Sequence, residues 1–369
     1  MTANGDGETK RSWRVVDTGV RRAAENFALN RALLESRKQG VSPSTLRFLQ
    51  FRPSALLGYH QSAEQELDLD YCAAHGIDIQ RRITGGGAIY MDEGQFGWEL
   101  YLTRQDVSSG DMAAIARRIC EAAARGISRL GVDARFRPRN DIEVAGRKIS
   151  GTGGAFDGEA LLYQGTLLAD FDVEKMVRIL RIPAEKLADK AIADARERVT
   201  SLRELLGAAP PLGVAKELVR QAFAEEFGAD FEPGEPNETE RRLMNETLAE
   251  IDTGDWIHMV RKPRSDLPIL EAAQKFGGGL LRAAVAYDRA GDRIKQVWFT
   301  GDFFVSPRRR VADLEAALKD TARAQAGERI RGFFAAHPCE MLALAPEDFA
   351  AVLERAVAPS LAGTAPEIG

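Results

Sequence analysis

Cysteine and histidine are scarce in this sequence, which holds three cysteines and four histidines in 369 residues. Cys72, Cys120 and Cys339 are odd in number, lie far apart and form no Cys-x-x-Cys pair. The sequence therefore predicts neither a zinc ribbon nor a disulfide framework. The few histidines do not supply a histidine-rich metal site, and we expect a protein of a reducing compartment.

Positive charge is not in excess either, since the formal net charge is −5. This balance excludes a generally basic nucleic-acid binder, although a local basic pocket is compatible with an acidic chain. No apolar run reaches the roughly 18 residues that a membrane-spanning helix needs. The start, MTANGDGETK, has no apolar signal-peptide core, and we expect residues 1–10 to form a disordered lead. We expect a cytoplasmic monomer that binds neither nucleic acid nor membranes.

What is present is an ordinary globular composition, with 44% hydrophobic and 28% charged residues. Apolar spacing predicts an amphipathic helix over 112–131. Alternation predicts a hairpin over 141–156 with its turn near Ala145–Gly146, and a β-meander over 277–304. This mixture of strands and helices favours an α+β fold with a mixed sheet.

The length suggests two domains, or one large domain with an appendage. A loop rich in proline, glycine and glutamate at 228–240 and a basic KPR run at 262–264 mark the expected boundary. We predict a large mixed-sheet domain over 11–262 and a small accessory α+β domain over 263–369.

The stretch RRITGGGAIY, residues 81–90, places three glycines between two pieces of predicted strand. Each glycine in a strand costs conformational entropy and has no side chain to pack, so the run needs a reason. One interpretation is a bulge or turn flanked by surface arginines. The other is a loop whose bare backbone N–H groups, with Arg82 beside them, surround an anion. The run matches neither a P-loop nor a dinucleotide fingerprint.

A second block, RNDIEVAGRKISG, contains the predicted hairpin. Simple alternation puts Lys148 and Ser150 on one face of the strand and Arg147 and Ile149 on the other. A lysine aimed into a cleft is a flexible point charge that suits an acyl carbonyl and a phosphate. The alternative is a solvated turn lysine, which is the commoner fate of lysine. The glycines that follow, at 151, 153 and 154, favour the cleft because they leave backbone open to close approach.

Together with AAENFALNRALL, LRFLQF, GYHQ, QGTLLADFD and RVTSLREL, these blocks give the chain a family likeness. The chain resembles the lipoate–protein ligase family, which belongs to the wider biotin/lipoate ligase fold. The resemblance runs from about Arg11 to the region of Trp256. The GDFF stretch at 301–304 and the helix after it resemble the small accessory domain of the family.

The resemblance implies roles for particular residues. Lys148 is the implied catalytic residue and would contact both the lipoyl carbonyl and a phosphate. Asp141 would lie near the nucleotide or its magnesium. The residues implied to bind the nucleotide or adenylate are Arg82, Gly85, Gly86, Gly87, Ala88, Ile89, Tyr90, Asn140 and Asp141. The residues implied to bind the lipoyl group are Lys148, Gly151, Gly165 and Thr166.

The resemblance also implies a two-step reaction with ATP and Mg²⁺. Lipoate attacks the α-phosphate of ATP to give lipoyl-AMP and pyrophosphate. A lysine of an acceptor lipoyl domain or lipoate-binding protein then attacks the mixed anhydride. Positioning and charge stabilisation would supply the catalysis, without a covalent enzyme intermediate.

Three positions depart from the usual residues of the family. Met91 and Gln164 stand where histidine is common, and Gln95 stands where asparagine is common. Glutamine can hydrogen-bond but cannot carry a proton as histidine does, so acceptor or pocket details differ. Such a variant fits a branch that modifies lipoate-binding proteins of bacterial sulfur oxidation.

Alternative functions share the fold. An octanoyl or lipoyl transferase would need a reactive thiol near the acyl carbonyl, and the expected places read FRPRND and LRIPAE, without cysteine. A biotin ligase is a second alternative, but the arginine-rich glycine loop that is usual in biotin ligases is absent from this sequence. A non-catalytic lipoate-binding relative is supported by the three departures, whereas Lys148 and the accessory domain argue for an enzyme.

Overall fold

A computed structural model of the chain describes residues 11–108, 111–138, 140–181, 188–261 and 263–358. The residues form two compact units. The first unit comprises the chain up to Ala55, Asp70–Gln80 and Tyr90–Thr253, and the second comprises Leu56–Leu69, Arg81–Ile89 and the chain from Gly254 onward. Two early segments thus group with the C-terminal part, and the boundary predicted at residue 262 stays a prediction. The expected disordered lead lies outside the described residues.

The first unit contains most of the strands and helices. They are β1 Arg11–Arg21, α1 Ala23–Lys38, β2 Thr45–Phe51, β6 Gln95–Thr103, α4 Arg104–Val107, α5 Met112–Ser128, β7 Ala134–Arg137, β8 Asp141–Val144, β9 Arg147–Asp157, β10 Ala160–Leu168, α6 Val173–Ile179, α7 Ala188–Arg198, α8 Leu202–Leu206, α9 Leu212–Phe227, β11 Ala229–Pro233 and α10 Glu238–Ile251. Over residues 54–91 the chain alternates between the two units, and its short elements there are β3 Ser54–Leu57, α2 Ala63–Glu66, α3 Leu69–Ala74, β4 Asp78–Arg81 and β5 Ile89–Met91.

An eight-stranded sheet forms the centre of the first unit, in the order β11-β1-β2-β6-β10-β9-β8-β7. Strand β1 runs parallel to β11 and β2, and the remaining neighbours are antiparallel, so the expected mixed sheet is confirmed. Helices α5 and α9 pack on one face over a core that includes Phe48, Trp98 and Tyr163. The two helices approach closely at Gly126, where an added Cβ would lie 2.8 Å from Val219 Cα.

On the other face, side chains of helix α1 hydrogen-bond to a buried ion pair between β2 and β6. Arg47 of β2 is fully buried, and its Nη1 lies 3.0 Å from Glu99 Oε2 of β6. Asn30 Nδ2 and the Tyr101 hydroxyl donate to the same carboxylate at 2.8 and 2.5 Å. The Asn26 side-chain oxygen accepts from Arg47 Nη2 at 2.6 Å. Because both charges have several partners, the cost of burying them is offset.

The second unit continues with α11 Gly254–Ile257, β12 Ile269–Phe276, β13 Gly279–Asp288, β14 Arg293–Gly301, β15 Val305–Ser306, α12 Arg310–Ala317, β16 Thr321–Ala322, α13 Arg323–Ala336, β17 Glu340–Met341 and α14 Pro346–Val357. An antiparallel sheet has the order β12-β13-β14-β16, and β15 pairs with β17. The core of the second unit is mainly aliphatic and contains an aromatic cluster, in which Phe349 contacts the rings of Phe299, Phe303 and Phe334. No helix in the described part of the chain could span a membrane.

The buried ion pair generates a test of stability. We expect Glu99→Ala to lower the free energy of unfolding by about 3–5 kcal/mol, because Arg47 would keep a buried charge without its carboxylate. The matched control is Glu250→Ala, which removes the exposed partner of Arg31 and should change stability by less than about 1 kcal/mol. Denaturant unfolding followed by circular dichroism measures both. Equal losses for the two variants would contradict the role given to the buried pair.

Candidate functional site

The strand that carries Lys148 is bulged. Lys148 lies opposite Glu143 and Ser150 lies opposite Ile142, so Ile149 is an extra residue in β9. The expected alternation is therefore wrong: Lys148 and Ser150 point to opposite faces. Ser150 is fully buried with Ile142, whereas Lys148 is half-buried. The bulge releases the lysine from the packed face.

The hairpin turn before Lys148 is where the sequence predicted it. Ala145 and Gly146 have φ values of 49° and 80°. Positive φ at both central residues is the geometry of the tight turns that join antiparallel strands. The turn fixes the register of Val144 against Arg147, and the bulge follows at once.

The ammonium of Lys148 is held by a carboxylate and by bare backbone. Nζ lies 2.6 Å from Asp141 Oδ1, as an ion pair without hydrogen-bond alignment, and the side chains are 39% and 26% exposed. A Cβ on Gly151 would lie 2.9 Å from both Lys148 Nζ and Cε, so the end of the lysine side chain packs directly against the glycine backbone. The Lys148 carbonyl accepts from Thr200 N at 2.9 Å, which fixes the backbone.

Several half-exposed residues share this side of the sheet, which we call the lysine face: Asp141, Lys148, Gly151, Gly153, Gln164 and Thr166. Thr166 Oγ1 accepts from Gly151 N at 3.2 Å. A Cβ on Gly153 would meet nothing within 4 Å, so the strand backbone there is open. The lysine face thus offers a cation, a carboxylate and exposed backbone within one small area.

Of the predicted lipoyl-binding residues, Gly165 lies elsewhere. It faces the helices, and a Cβ there would lie 2.2 Å from the Trp98 ring. This contact explains why position 165 is glycine. Its predicted role in lipoyl binding stays a prediction, as do the roles of Lys148, Gly151 and Thr166.

Behind Asn140 lies a buried polar triangle that sequence reasoning missed. Thr152 donates through both its N–H and its Oγ1 to the Asn140 carbonyl, at 2.7 and 3.1 Å. Cys120 Sγ lies 3.2 Å from Thr152 Oγ1 and 3.3 Å from the Tyr163 hydroxyl, which itself lies 3.3 Å from Thr152 Oγ1. Through Thr152, the triangle fixes the Asn140 carbonyl next to Asp141.

The glycine run belongs to the second unit, and Arg82 organises it. The guanidinium is buried and donates to the carbonyls of Leu56, Gly85 and Gly87 at 2.9, 3.2 and 2.7 Å. Burial lowers the pKa of Arg82 to about 10. Within the described residues Arg82 has no carboxylate partner, so carbonyl dipoles alone compensate its charge.

Protein backbone, rather than open space, lies against part of this loop. A Cβ on Gly85 would lie 2.2 Å from the Phe303 carbonyl oxygen, and one on Gly86 would lie 2.8 Å from Phe304 Cζ. Gly86 N donates to Phe303 O at 3.3 Å, and Gly86 has a φ of 95°. On the other side, a Cβ on Gly58 would overlap Gly86 O at 1.8 Å. Close approach of a chain segment therefore accounts for these glycines, and their approach to a nucleotide stays a prediction.

The predicted nucleotide residues are divided between the units. Arg82, Gly85–Gly87, Ala88 and Ile89 belong to the second unit. Tyr90, Asn140 and Asp141 belong to the first, with Lys148. Ile89 is exposed, whereas Tyr90 is buried and its pKa is raised, chiefly by burial.

All three cysteines are described, and none is an available thiol on the lysine face. Cys72 and Cys120 are fully buried. Cys339 is half-buried in the second unit. Burial raises the pKa of the Cys120 and Cys339 thiols, which disfavours the thiolate.

The three departures have different surroundings. Met91 and Gln95 are buried, and Gln95 Nε2 lies 3.4 Å from Asp92 Oδ1. Gln164 alone reaches the lysine face. Within the described ranges, no group of three or more histidine, cysteine, aspartate or glutamate side chains could hold a metal ion, and the predicted magnesium near Asp141 stays a prediction.

Comparison with known proteins gives consistent matches. A family model described as Lipoyl protein ligase A/B catalytic domain matches residues 22–228. The octanoyltransferase LipM of Kyrpidia tusciae is 30% identical over 268 residues, covering 66% of this chain and 98% of the relative. Lipoate-protein ligase A subunit 1 of Thermoplasma acidophilum is 31% identical over 242 residues, covering 63% and 90%.

Solved structures agree. The bi-partite lipoate protein ligase of Thermoplasma acidophilum, described with its E2 lipoyl domain, has a TM-score of 0.60 and 28% identity over 69% of this chain and 100% of that one. A lipoate-protein ligase A bound with ATP has a TM-score of 0.59 and 26% identity over 68% and 100%. LipL1 of P. falciparum, in complex with lipoate, has a TM-score of 0.73 and 16% identity over 93% and 100%. The expected α+β fold is confirmed, including a smaller C-terminal part.

The glycine contacts generate a paired test of stability. We expect Gly86→Ala to destabilise the protein by about 1–2 kcal/mol, because position 86 has a left-handed φ and its Cβ would strike Phe304. Gly87→Ala is the control, since its φ is ordinary and its Cβ would lie 3.6 Å from Asp302 Cβ, a normal contact. Denaturant unfolding should separate the two variants. Equal stability of the two would argue against the packing described for the loop.

Proposed function

Because the chain belongs to the family of the lipoyl protein ligase A/B catalytic domain, we propose that it is an ATP-dependent lipoate–protein ligase. Lipoate would be activated to lipoyl-AMP, and the lipoyl group would pass to a lysine of an acceptor lipoyl domain or lipoate-binding protein. The family contains ligases and octanoyltransferases, so the choice between them depends on the chemistry of the site.

One observation carries the proposal: the lysine face presents the Lys148 ammonium beside bare backbone and has no thiol within the described residues. An acyl-thioester route needs a reactive thiolate, and the three cysteines are buried or half-buried. A ligase needs positive charge where phosphate and carboxylate oxygens meet, and Lys148 can supply it.

In the first step, a carboxylate oxygen of lipoate would form a bond to the α-phosphorus of ATP while the bond to pyrophosphate breaks. Lys148 would bind oxygens of both reacting groups and offset their mutual repulsion. The nearby Asp141 carboxylate pairs with the ammonium of Lys148 and limits the rotamers of the lysine. Holding two anions in line is the main requirement of this reaction.

The glycine loop and Arg82 would serve the nucleotide. The buried guanidinium of Arg82 donates to carbonyl oxygens and keeps its full charge, which creates a positive potential that suits phosphate. Gly86 N–H donates to the Phe303 carbonyl, so a phosphate bound there would replace that bond. A related ligase bound with ATP supports this substrate. Mg²⁺ would neutralise phosphate charge when bound. Asp141 is the carboxylate among the predicted nucleotide-binding residues, and Mg²⁺ usually takes one or two carboxylates beside phosphate oxygens.

In the second step, the amine of the acceptor lysine would attack the carbonyl carbon of the mixed anhydride. An amide forms, the bond to AMP breaks, and the amine loses a proton. The side chains on the lysine face that could contact the acyl group are Thr166 and Gln164, with Gly151 and Gly153 giving room. A related archaeal ligase described with its E2 lipoyl domain supports an acceptor of that class.

The test is lipoate-dependent exchange of pyrophosphate into ATP, which requires no acceptor. We expect Lys148→Ala to lower the exchange rate by about 10²–10³-fold or more, the typical cost of removing a group that stabilises developing charge. Arg147→Ala is the control, because it removes the neighbouring cation, which pairs with Glu204. An unchanged rate in Lys148→Ala, with the wild-type enzyme active, would remove Lys148 from the mechanism.

The second candidate is an octanoyltransferase, which the similarity to LipM favours. We expect a variant with Cys72→Ala, Cys120→Ser and Cys339→Ala to retain lipoyl transfer within a few-fold, because none of the thiols is placed for attack on an acyl group. The serine keeps a hydroxyl in the polar triangle. Mass spectrometry of wild-type protein incubated with octanoylated donor domain is the companion measurement. A covalent octanoyl-cysteine, lost together with activity in the triple variant, would favour the transferase.

A further inference from the structure

Two basic runs of the sequence meet on one groove of the second unit. Residues 261–264 read RKPR and residues 308–310 read RRR, in a chain whose net charge is −5. Arg261, Arg264, Arg308 and Arg309 all line a groove of about 1130 Å³. Arg261 and Arg264 lie more than forty residues before Arg308 in the sequence, so the fold brings the two runs together.

The floor of this arginine groove is aromatic. Tyr59, His60 and Trp298 line it, and the Arg308 guanidinium stands 4.9 Å from the centre of the Tyr59 ring. Arg308 Nη1 also donates to the Ile83 carbonyl at 3.1 Å. A guanidinium over an aromatic face with a backbone hydrogen bond is an oriented, preformed cation.

The rim of the groove is exposed and only weakly neutralised. Arg309 is 86% exposed and lies 3.1 Å from Asp313. Arg261 is 72% exposed and lies 3.6 Å from Asp255, which is itself almost fully exposed. Exposed ion pairs contribute little, so these arginines can exchange partners at small cost. Arg264 is exposed and makes no ion pair with another residue in the described ranges.

Three carboxylates also line the groove, and their effect is limited. Asp255 Oδ1 lies 3.6 Å from Arg261 Nη2, and Glu64 Oε1 lies 3.7 Å from His258 Nδ1. Glu315 accepts the Phe299 N–H at 2.7 Å, and burial raises its pKa to about 7. Near neutral pH this carboxyl is therefore partly protonated, which reduces the negative charge on the groove.

We propose that the arginine groove binds an acidic surface of the acceptor protein, an inference that rests on the proposed ligase function. A site for a small anion would gather buried donors on one point, whereas these charges are spread along an exposed rim. Arginine and aromatic side chains are the residues enriched in protein interfaces. An acidic chain repels an acidic partner overall, so a local basic groove would select the productive encounter.

The test reverses the rim charges: Arg261→Glu, Arg264→Glu and Arg309→Glu in one rim variant. The matched control carries Arg289→Glu, Arg329→Glu and Arg355→Glu, three exposed arginines of the same unit that do not line the groove. Both variants change net charge equally. Initial rates of lipoyl transfer from lipoate and ATP are measured against the concentration of an unmodified E2 lipoyl domain.

We expect the rim variant to raise the KM for the lipoyl domain about tenfold or more while kcat stays within about twofold, because rim charges act mainly on encounter. The control should leave KM within about twofold. Added salt should raise the wild-type KM more than that of the rim variant, since screening weakens exposed charges. Changing surface carboxylates of the lipoyl domain to lysine should restore the rim variant.

Pyrophosphate exchange without acceptor tests the ligase activity separately from acceptor binding by the arginine groove. We expect equal exchange in wild type, rim variant and control, which also shows that each is folded. No exchange in any of them would defeat the ligase proposal itself. Normal exchange with equal acceptor KM in rim variant and control would overturn the groove alone. A raised KM for ATP in the rim variant would assign the groove to nucleotide phosphates, and loss of binding to a labelled single-stranded RNA would assign it to nucleic acid; either result overturns the proposal.

Discussion

The candidate site depends on one extra residue in a strand. Ile149 is inserted between Lys148 and Ser150, so that the strand buries two consecutive side chains against the helices. Without the insertion, Lys148 and Ser150 would share a face. A lysine on the packed face would carry its charge into a core of aromatic and aliphatic side chains, at a large desolvation cost. With the insertion, the ammonium reaches a half-exposed face where Asp141 and open glycine backbone surround it.

Much of the architecture could be predicted because local patterns specify it. The helix expected over 112–131 is observed as Met112–Ser128, and the turn at Ala145–Gly146 has the expected geometry. Strand β1 has no alternation of apolar and polar residues that would predict a strand, because only Trp13 and Val16 of its eleven residues are buried. The bulge could not be predicted, since a register shift depends on the partner strand and on the helices behind it.

Roles of glycines are hard to assign from sequence, because one residue type serves two purposes. A glycine is needed wherever another group comes close, and the sequence does not say which group that is. Gly165 accommodates Trp98, Gly85 accommodates the Phe303 backbone, and Gly151 accommodates the side chain of Lys148. The sequence predicted close approach at Gly85 and Gly151 but gave no such signal at Gly165, and in each case the partner is set by tertiary structure. Buried arginines show the same ambiguity: Arg47 is neutralised by a carboxylate, whereas Arg82 is held by carbonyl oxygens.

The polar triangle behind Asn140 has a consequence for how protons are shared. Thr152 gives its hydroxyl hydrogen to the Asn140 carbonyl, so only the thiol of Cys120 and the phenol of Tyr163 have hydrogens left. Three contacts join these groups, yet two hydrogens can fill only two of them at any instant. The hydrogens can therefore shift among alternative arrangements without moving a heavy atom. Such degeneracy leaves residual entropy in a buried interior, while Thr152 keeps both of its hydrogen bonds to the Asn140 carbonyl in every arrangement.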